Sequence, residues 1–330
     1  MRRRDFCAGA GAAMATAGMA RRAAAATVAE LNPPGVRTAG IRMLPVMGGK
    51  YKVWTKRVGP AGDDGLKVLL LHGGPGFGHE YLECFEDFLP QAGITFYLYD
   101  QLGSAYSDQP DDPSLWTLSR FVDEVEEVRQ GLGLDQFVLF GHSWGGILGL
   151  EYALKYPQHL RGLVISNMVA GMAAYLRRTE SLKVLLQPAN RVRMAELEAK
   201  GDFDNPDYTR IMMEDAYPQM ICRLKPWPEP VTRCFARANQ AIYNQMQGKS
   251  EFLVTGNLKG WERWDRLHEI AMPALTIGAQ HDEMDPDDMR RMATMMPRGQ
   301  NLFCPRGSHL AMWDDQAVYF EGLLRFLKAV

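Results

Sequence analysis

Residues 137–146 read Phe137-Val138-Leu139-Phe140-Gly141-His142-Ser143-Trp144-Gly145-Gly146, and a helical pattern takes over from Ile147. A short apolar run enters a serine flanked by glycines, and a helix leaves it. G-x-S-x-G occurs by chance in many chains, but between a strand and a helix it is the context in which a serine is presented as a nucleophile. The glycines are needed because such a serine has a strained, crowded backbone. The helix that follows places its positive end beneath any negative charge that develops there. Ser143 is therefore the candidate nucleophile.

Working outward, short apolar runs of the same kind recur at Lys67 to His72, Ile94 to Tyr99, Leu160 to Ile165 and Ala274 to Ile277. Each is apolar on both faces and bounded by turn residues, as buried parallel strands are. Ile41 to Met47 and Tyr51 to Val58 flank Gly48-Gly49 and predict a hairpin. Leu118 to Leu132 carries Val122, Val125 and Val128 at helical spacing, and Ala317 to Ala329 reads as a closing helix. Strands alternating with helices predict an α/β fold with a mostly parallel, doubly wound sheet. From 170 to 264 the rhythm breaks into Arg-, Met-, Glu- and Gln-rich helical sequence punctuated by Pro226, Pro228 and Pro230. That stretch is expected to be a helical cap inserted between two parts of the sheet domain, 40–169 and 265–330.

A serine hydroxyl needs a base and a group to orient it. In the α/β-hydrolase fold the chain order is Ser, then Asp or Glu, then His. Beyond the cap, Leu275-Thr276-Ile277-Gly278-Ala279-Gln280-His281-Asp282 is a strand ending in an acid, and Gly307-Ser308-His309 opens a late loop. Asp282 is the expected orienter and His309 the expected base. Asp285, His281 and His268 compete but suit the position less well. His72-Gly73-Gly74-Pro75-Gly76 follows the first buried strand, where backbone N–H groups can approach a substrate unobstructed by Cβ atoms. The two donors expected for an oxyanion are the N–H of Trp144 and that of Gly74. The turn lacks the G-K-[ST] and G-x-G-x-x-G patterns of phosphate-cradling loops.

With 330 residues and 46% hydrophobic content, the chain can bury one large core and an inserted subdomain. Its net charge of −2 and lack of basic blocks in the body argue against nucleic acid as a partner. No apolar run reaches the roughly 18 residues of a membrane span, so no stable membrane association is expected. Residues 1–29 differ from the rest. Arg2-Arg3-Arg4-Asp5-Phe6 precedes an Ala/Gly/Met-rich stretch, then Arg21-Arg22 and small residues to Ala29. This reads as a twin-arginine signal for export, expected to be periplasmic, with 30–39 as a linker. Without that leader the net charge becomes −6. Cys84, Cys222, Cys234 and Cys304 show no zinc spacing. Cys222 and Cys234 can pair in an oxidising compartment, or all four can stay as buried thiols.

His72-Gly73-Gly74-Pro75-Gly76, Asp100-Gln101-Leu102-Gly103-Ser104, Gly141 to Gly146, Gly307 to Trp313, and Tyr243 to Phe252 together resemble the proline iminopeptidase family of α/β-hydrolases, which includes the tricorn-interacting aminopeptidases. The last two stretches are the narrower ones and carry most of the weight. The resemblance covers the chain from about Gly40 to the end. It implies removal of one amino-terminal residue, often proline, from short peptides, amides or arylamides, with no metal or organic cofactor. It also implies that Glu251 in the cap and Glu283 beside the acid hold the free α-amino group, which suits an ammonium because paired carboxylates give charge-assisted hydrogen bonds. Lys249 stands where the family often has proline and brings a cation near Glu251. Phe77, Trp144 and Trp227 are candidate contacts for a proline ring. An esterase, lactonase or amino-acid amidase on the same scaffold is the nearest alternative, since fold does not fix substrate. A non-catalytic binding protein is disfavoured by the intact Ser143, Asp282 and His309 set.

Overall fold

The computed structural model describes residues 37–60 and 65–330. The leader 1–29 and most of the linker lie outside the described residues. The strands are β1 (Ile41–Val46), β2 (Tyr51–Val58), β3 (Lys67–Leu71), β4 (Thr95–Tyr99), β5 (Phe137–His142), β6 (Leu160–Ser166), β7 (Ala274–Ala279) and β8 (Gly299–Cys304). They form one sheet in the order β1-β2-β4-β3-β5-β6-β7-β8, in which β2 alone runs against its neighbours.

Apolar residues on both sides of each central strand explain why the sheet is buried on both faces. Leu69 and Leu71 of β3 join a core with helix α1 (Leu118–Leu132) and helix α2 (Trp144–Lys155). Val68 and Leu70, their alternates, join Phe85 and Phe320 on the other face. Each fully buried side chain of this size contributes about 1.5–3 kcal/mol relative to exposure. Helix α1 begins where the Thr117 hydroxyl accepts the Arg120 N–H and stops at Gly133, whose φ of 67° favours glycine.

After β6 the chain enters a helical excursion and returns to the sheet only at β7. Its helices are α3 (Met172–Leu182), α4 (Pro188–Lys200), α5 (Pro206–Ile211), α6 (Tyr217–Met220), α7 (Glu229–Ala236) and α8 (Gln240–Met246), with a π-turn at Met212–Ala216. The two ends of the excursion are zipped together, Met172 N–H to Trp261 O at 2.9 Å and Arg263 N–H to Ala170 O at 2.7 Å. Its far side is tied to the core by Arg233 with Glu83, Arg237 with Glu80, and Asn239 N–H to Gly76 O at 2.8 Å. The remaining helices are α9 (Pro286–Met295), α10 (Ala311–Asp314) and α11 (Gln316–Leu327). Among the described residues no helix is long and apolar enough to cross a membrane.

Strand β8 escaped the sequence reading. Gln300, Asn301, Leu302 and Phe303 are not buried, because β8 is an edge strand and lacks the two-sided apolar signature of its neighbours. Cys84, Cys222, Cys234 and Cys304 are all free and buried, so the Cys222–Cys234 pairing is not made. The Cys234 thiol instead faces the Gly78 carbonyl at 3.5 Å.

Candidate active site

The site lies at the carboxyl ends of β3, β5, β6 and β7. β3 has β4 on one side and β5 on the other, so the sheet switches direction there and the loops leaving β3 and β5 diverge. This is where a crevice opens in doubly wound sheets. Ser143 directly follows β5, at the start of α2, with φ 55° and ψ −126°. Such a conformation costs on the order of 1–3 kcal/mol and persists only where the surroundings over-determine it. The surroundings here do so. Ser143 N–H donates to Ser166 O at 3.0 Å, and Gly146 N–H donates to Ser143 O at 2.7 Å. A Cβ on Gly141 would sit 2.0 Å from the Gly145 carbonyl oxygen, and one on Gly145 would sit 2.2 Å from Leu71 O. No side chain fits at either position, and the glycine spacing follows.

The acid and base are brought together. His309 Nδ1 lies 2.9 Å from Asp282 Oδ1, and the other oxygen of Asp282 accepts from Asn167 Nδ2 at 2.7 Å. Asp282 is fully buried and His309 nearly so. Asp285, the competing acid, instead caps α9 by accepting the Asp287 N–H at 2.9 Å. The loop carrying His309 is gripped by the cap, His309 N–H donating to Met220 O at 2.9 Å and Leu310 N–H to Ile221 O at 2.8 Å.

The glycine turn after β3 packs directly on the serine. A Cβ on Gly73 would lie 3.0 Å from Ser143 Cβ. Gly73 N–H already donates to the Tyr81 hydroxyl at 2.7 Å, so it is committed. Gly74, the next residue, lines the cavities on both sides of Ser143. Gln101 braces this turn from behind. It donates its backbone N–H to His72 Nε2 at 3.0 Å and accepts from the Trp144 indole at 2.8 Å.

One hydrogen-bond chain was missed by sequence reasoning. Tyr81, after accepting from Gly73, donates to His142 Nδ1 at 2.9 Å, and His142 Nε2 donates to the His309 carbonyl at 2.9 Å. Burial, then the neighbouring His309, pushes the His142 imidazole well below its usual range, so it serves as a neutral linker. His142 had only its place inside the motif to mark it.

Glu251 and Glu283 both line the two cavities that Ser143 also lines. Glu251 is held by the hydroxyls of Tyr175 (2.8 Å) and Tyr243. Glu283 Oε1 lies 3.6 Å from His309 Nδ1, while Glu283 Oε2 is buried with no hydrogen-bond partner. Burial and then Glu251 push the Glu283 carboxyl well above its usual range. Burial by itself would press the His309 ring down. Glu283, followed by Asp282 and Glu251, outweighs it and holds the imidazole up at about 9. Lys249 makes its ion pair with Asp204 at the outer face of the cap. The role of Tyr175 and Tyr243 was not anticipated: they sit 68 positions apart, and although Tyr243 opens the cap stretch, nothing local links it to Tyr175.

The three aromatic candidates separate in space. Trp144 borders the cavity shared with Met168, Met172 and Met284. Phe77 borders the one that contains His309. Trp227 belongs to an outer groove of about 680 Å³, which shares Phe77, Tyr217, Phe235, Tyr243 and Glu251 with the cavity at His309.

Comparison with known proteins agrees with this fold. A family profile described as the alpha/beta hydrolase fold matches residues 67–316. The proline iminopeptidase of Elizabethkingia meningoseptica is 48% identical over 294 residues, covering 87% of this chain and 98% of its own. Among solved structures, VinJ superposes with a TM-score of 0.82 at 31% identity, covering 90% of this chain and 99% of its own. The proline iminopeptidase of Mycobacterium smegmatis does so with a TM-score of 0.80 at 30% identity, covering 88% and 98%.

Proposed function

This chain belongs to the proline iminopeptidase family of α/β-hydrolases, and from that premise we propose that it is a serine aminopeptidase releasing an amino-terminal residue, often proline, from short peptides, amides or arylamides. The observation that carries the reading is the pair of carboxyl groups beside Ser143, half-buried Glu251 and buried Glu283, with one buried oxygen of Glu283 still open to a donor. A substrate ammonium satisfies that oxygen. An acetylated amino end leaves it unpaired, at a cost of about 1–3 kcal/mol or more for a charged group.

In this mechanism Ser143 Oγ attacks the carbonyl carbon of the first residue while its proton passes to His309 Nε2. The N–H groups of Gly74 and Trp144 receive the oxyanion, each donor being worth about 10²–10³ in rate. His309 then gives the proton to the leaving amine as the C–N bond breaks. Water activated by His309 hydrolyses the acyl-enzyme and frees the first residue. Asp282 keeps the Nδ1 proton in place throughout. The acyl side falls to the methionine-lined cavity with Trp144. The leaving peptide takes the His309 side, toward the outer groove, because the group that protonates it is there.

A panel of arylamides and esters with free and acetylated amino ends tests this reading. Selective cleavage of the free forms is expected, and equal rates on both would overturn it. Ser143→Ala is expected to abolish turnover. We also propose export through the arginine-rich leader. Arg3→Lys/Arg4→Lys should then leave the protein in the cytoplasm, and normal export of that variant would refute twin-arginine transport.

A further inference from the structure

The two glutamates of the amine site are not equivalent. Glu251 has both oxygens engaged, by the Tyr175 and Tyr243 hydroxyls. Glu283 has one oxygen against the base, while Oε2 makes no hydrogen bond of normal geometry; the Tyr175 hydroxyl also faces this carboxyl group. His309 Nδ1 therefore faces two carboxyl groups at once, Asp282 at 2.9 Å and Glu283 at 3.6 Å.

The groups around this cluster leave it short of positive charge. From the loop after β7 come Asp282 and Glu283. From the cap come Glu251, Tyr175, Tyr217 and Tyr243, whose hydroxyls are all pushed well above their usual range, first by burial and next by neighbouring charge. From β5 comes His142, which is held neutral. Arg178 donates to the backbone carbonyls of Asp282 and Gln280 rather than to a carboxyl group of the cluster. Two buried carboxyl groups and half-buried Glu251 thus face one ionisable ring, an arrangement that favours a bound proton. Glu283 and His309 are both displaced upward, as expected of groups sharing that proton.

We propose that the substrate's ammonium and this proton compete for one cluster: seating the ammonium between Glu283 and Glu251 expels a proton from the His309–Glu283 pair to solvent, and the substrate thereby frees the base that Ser143 requires. This rests on the amine-binding reading above and adds a second role for Glu283, that of a positioning residue acting through His309. The ammonium keeps its own protons. His309 keeps the Nδ1 proton on Asp282 and loses the one on Nε2, the nitrogen used in catalysis. Selectivity for a free amino end is then exerted twice, once in binding and again in acylation, because a blocked substrate meets a protonated base at neutral pH. By linkage, protonation of the cluster weakens ammonium binding by the same factor that the ammonium favours deprotonation. Affinity for the amine therefore rises as pH rises through the His309 titration, near 9 in the free enzyme.

Pyrrolidine, a cation with no carbonyl to cleave, and N-acetylpyrrolidine, its neutral counterpart, test this on the unmodified enzyme. Calorimetry at pH 7.5 in two buffers of different ionisation enthalpy should count about one proton released per pyrrolidinium bound. The His309 ring resonances should move to the neutral form, and N-acetylpyrrolidine should do neither. Binding of pyrrolidinium without proton release or change at His309 would overturn the proposal and leave the amine site standing. Failure of pyrrolidinium to bind, with free and acetylated arylamides cleaved alike, would remove both. Glu283→Gln adds a test of opposite sign. Its hydrolysis of a neutral ester at pH 7 should rise about tenfold for each pH unit by which the ester profile moves down, while kcat/KM for the free-amine substrate falls. A merely structural role for Glu283 lowers both rates, and that result would also overturn the proposal.

Discussion

Ser143 is held by main-chain bonds to Ser166 and Gly146 at a strand end, whereas Glu251, on the facing wall, is held by the hydroxyls of Tyr175 and Tyr243. The first support uses no side-chain atom, although no side chain fits at Gly141 or Gly145 beside it. The second depends on two residues in a cap built from short helices and a π-turn. The difference teaches where each task is assigned. Bond making needs atoms fixed to fractions of an ångström, and parallel strand ends supply that. Choosing among substrates, the task proposed for Glu251, needs a wall that can be rebuilt, and a side-chain-supported glutamate suits it.

Substitutions can break or sharpen this contrast. Asp282→Ala strikes the strand-borne half and should lower kcat by about 10³–10⁴ on every substrate, free or blocked, in a steady-state assay. Loss confined to free-amine substrates would show that the two halves are not separate. Glu251→Gln strikes the cap half and should cost free-amine substrates about 10–100-fold in kcat/KM, as for a hydrogen bond to a charged group. Hydrolysis of a neutral ester should change by less than about threefold, and a parallel loss there would place Glu251 in the chemistry. Tyr243→Phe removes one of the two hydroxyls on Glu251. It should raise KM for free amines by about fivefold, the equivalent of ~1 kcal/mol, with kcat nearly intact. Asp285→Ala, three positions from the acid, should leave kcat within about twofold and cost ~1 kcal/mol in urea denaturation, because Asp285 is a helix cap.

The same contrast explains what was legible in the sequence. Ser143, Asp282, His309 and the turn at Gly74 each sit where an apolar run meets a turn, so local pattern and chain order find them. The central strands were visible because both faces are apolar. Edge strand β8 was not, since Gln300 and Asn301 dilute its signal. Glu251 and Glu283 came into view only through family resemblance, because two carboxyl groups brought together across 32 positions leave no period behind. Tyr175 left no trace, and Tyr243 came into view only as the first residue of the cap stretch, with no role attached. Lys249, a departure within the cap stretch, is taken up by Asp204 at the outer face.

The chain of bonds from Gly73 through Tyr81 and His142 to the His309 carbonyl spans 61 positions in one step and 167 in another. Contacts of such long reach form late, because the loops they close must first be ordered. A nascent chain that has completed β6 can hold its serine and its glycine turn but has no base to receive His142. Catalytic competence therefore arrives with almost the last segment to emerge, after the cap has been laid down over the cleft. The protein is inert as a hydrolase for nearly all of its synthesis.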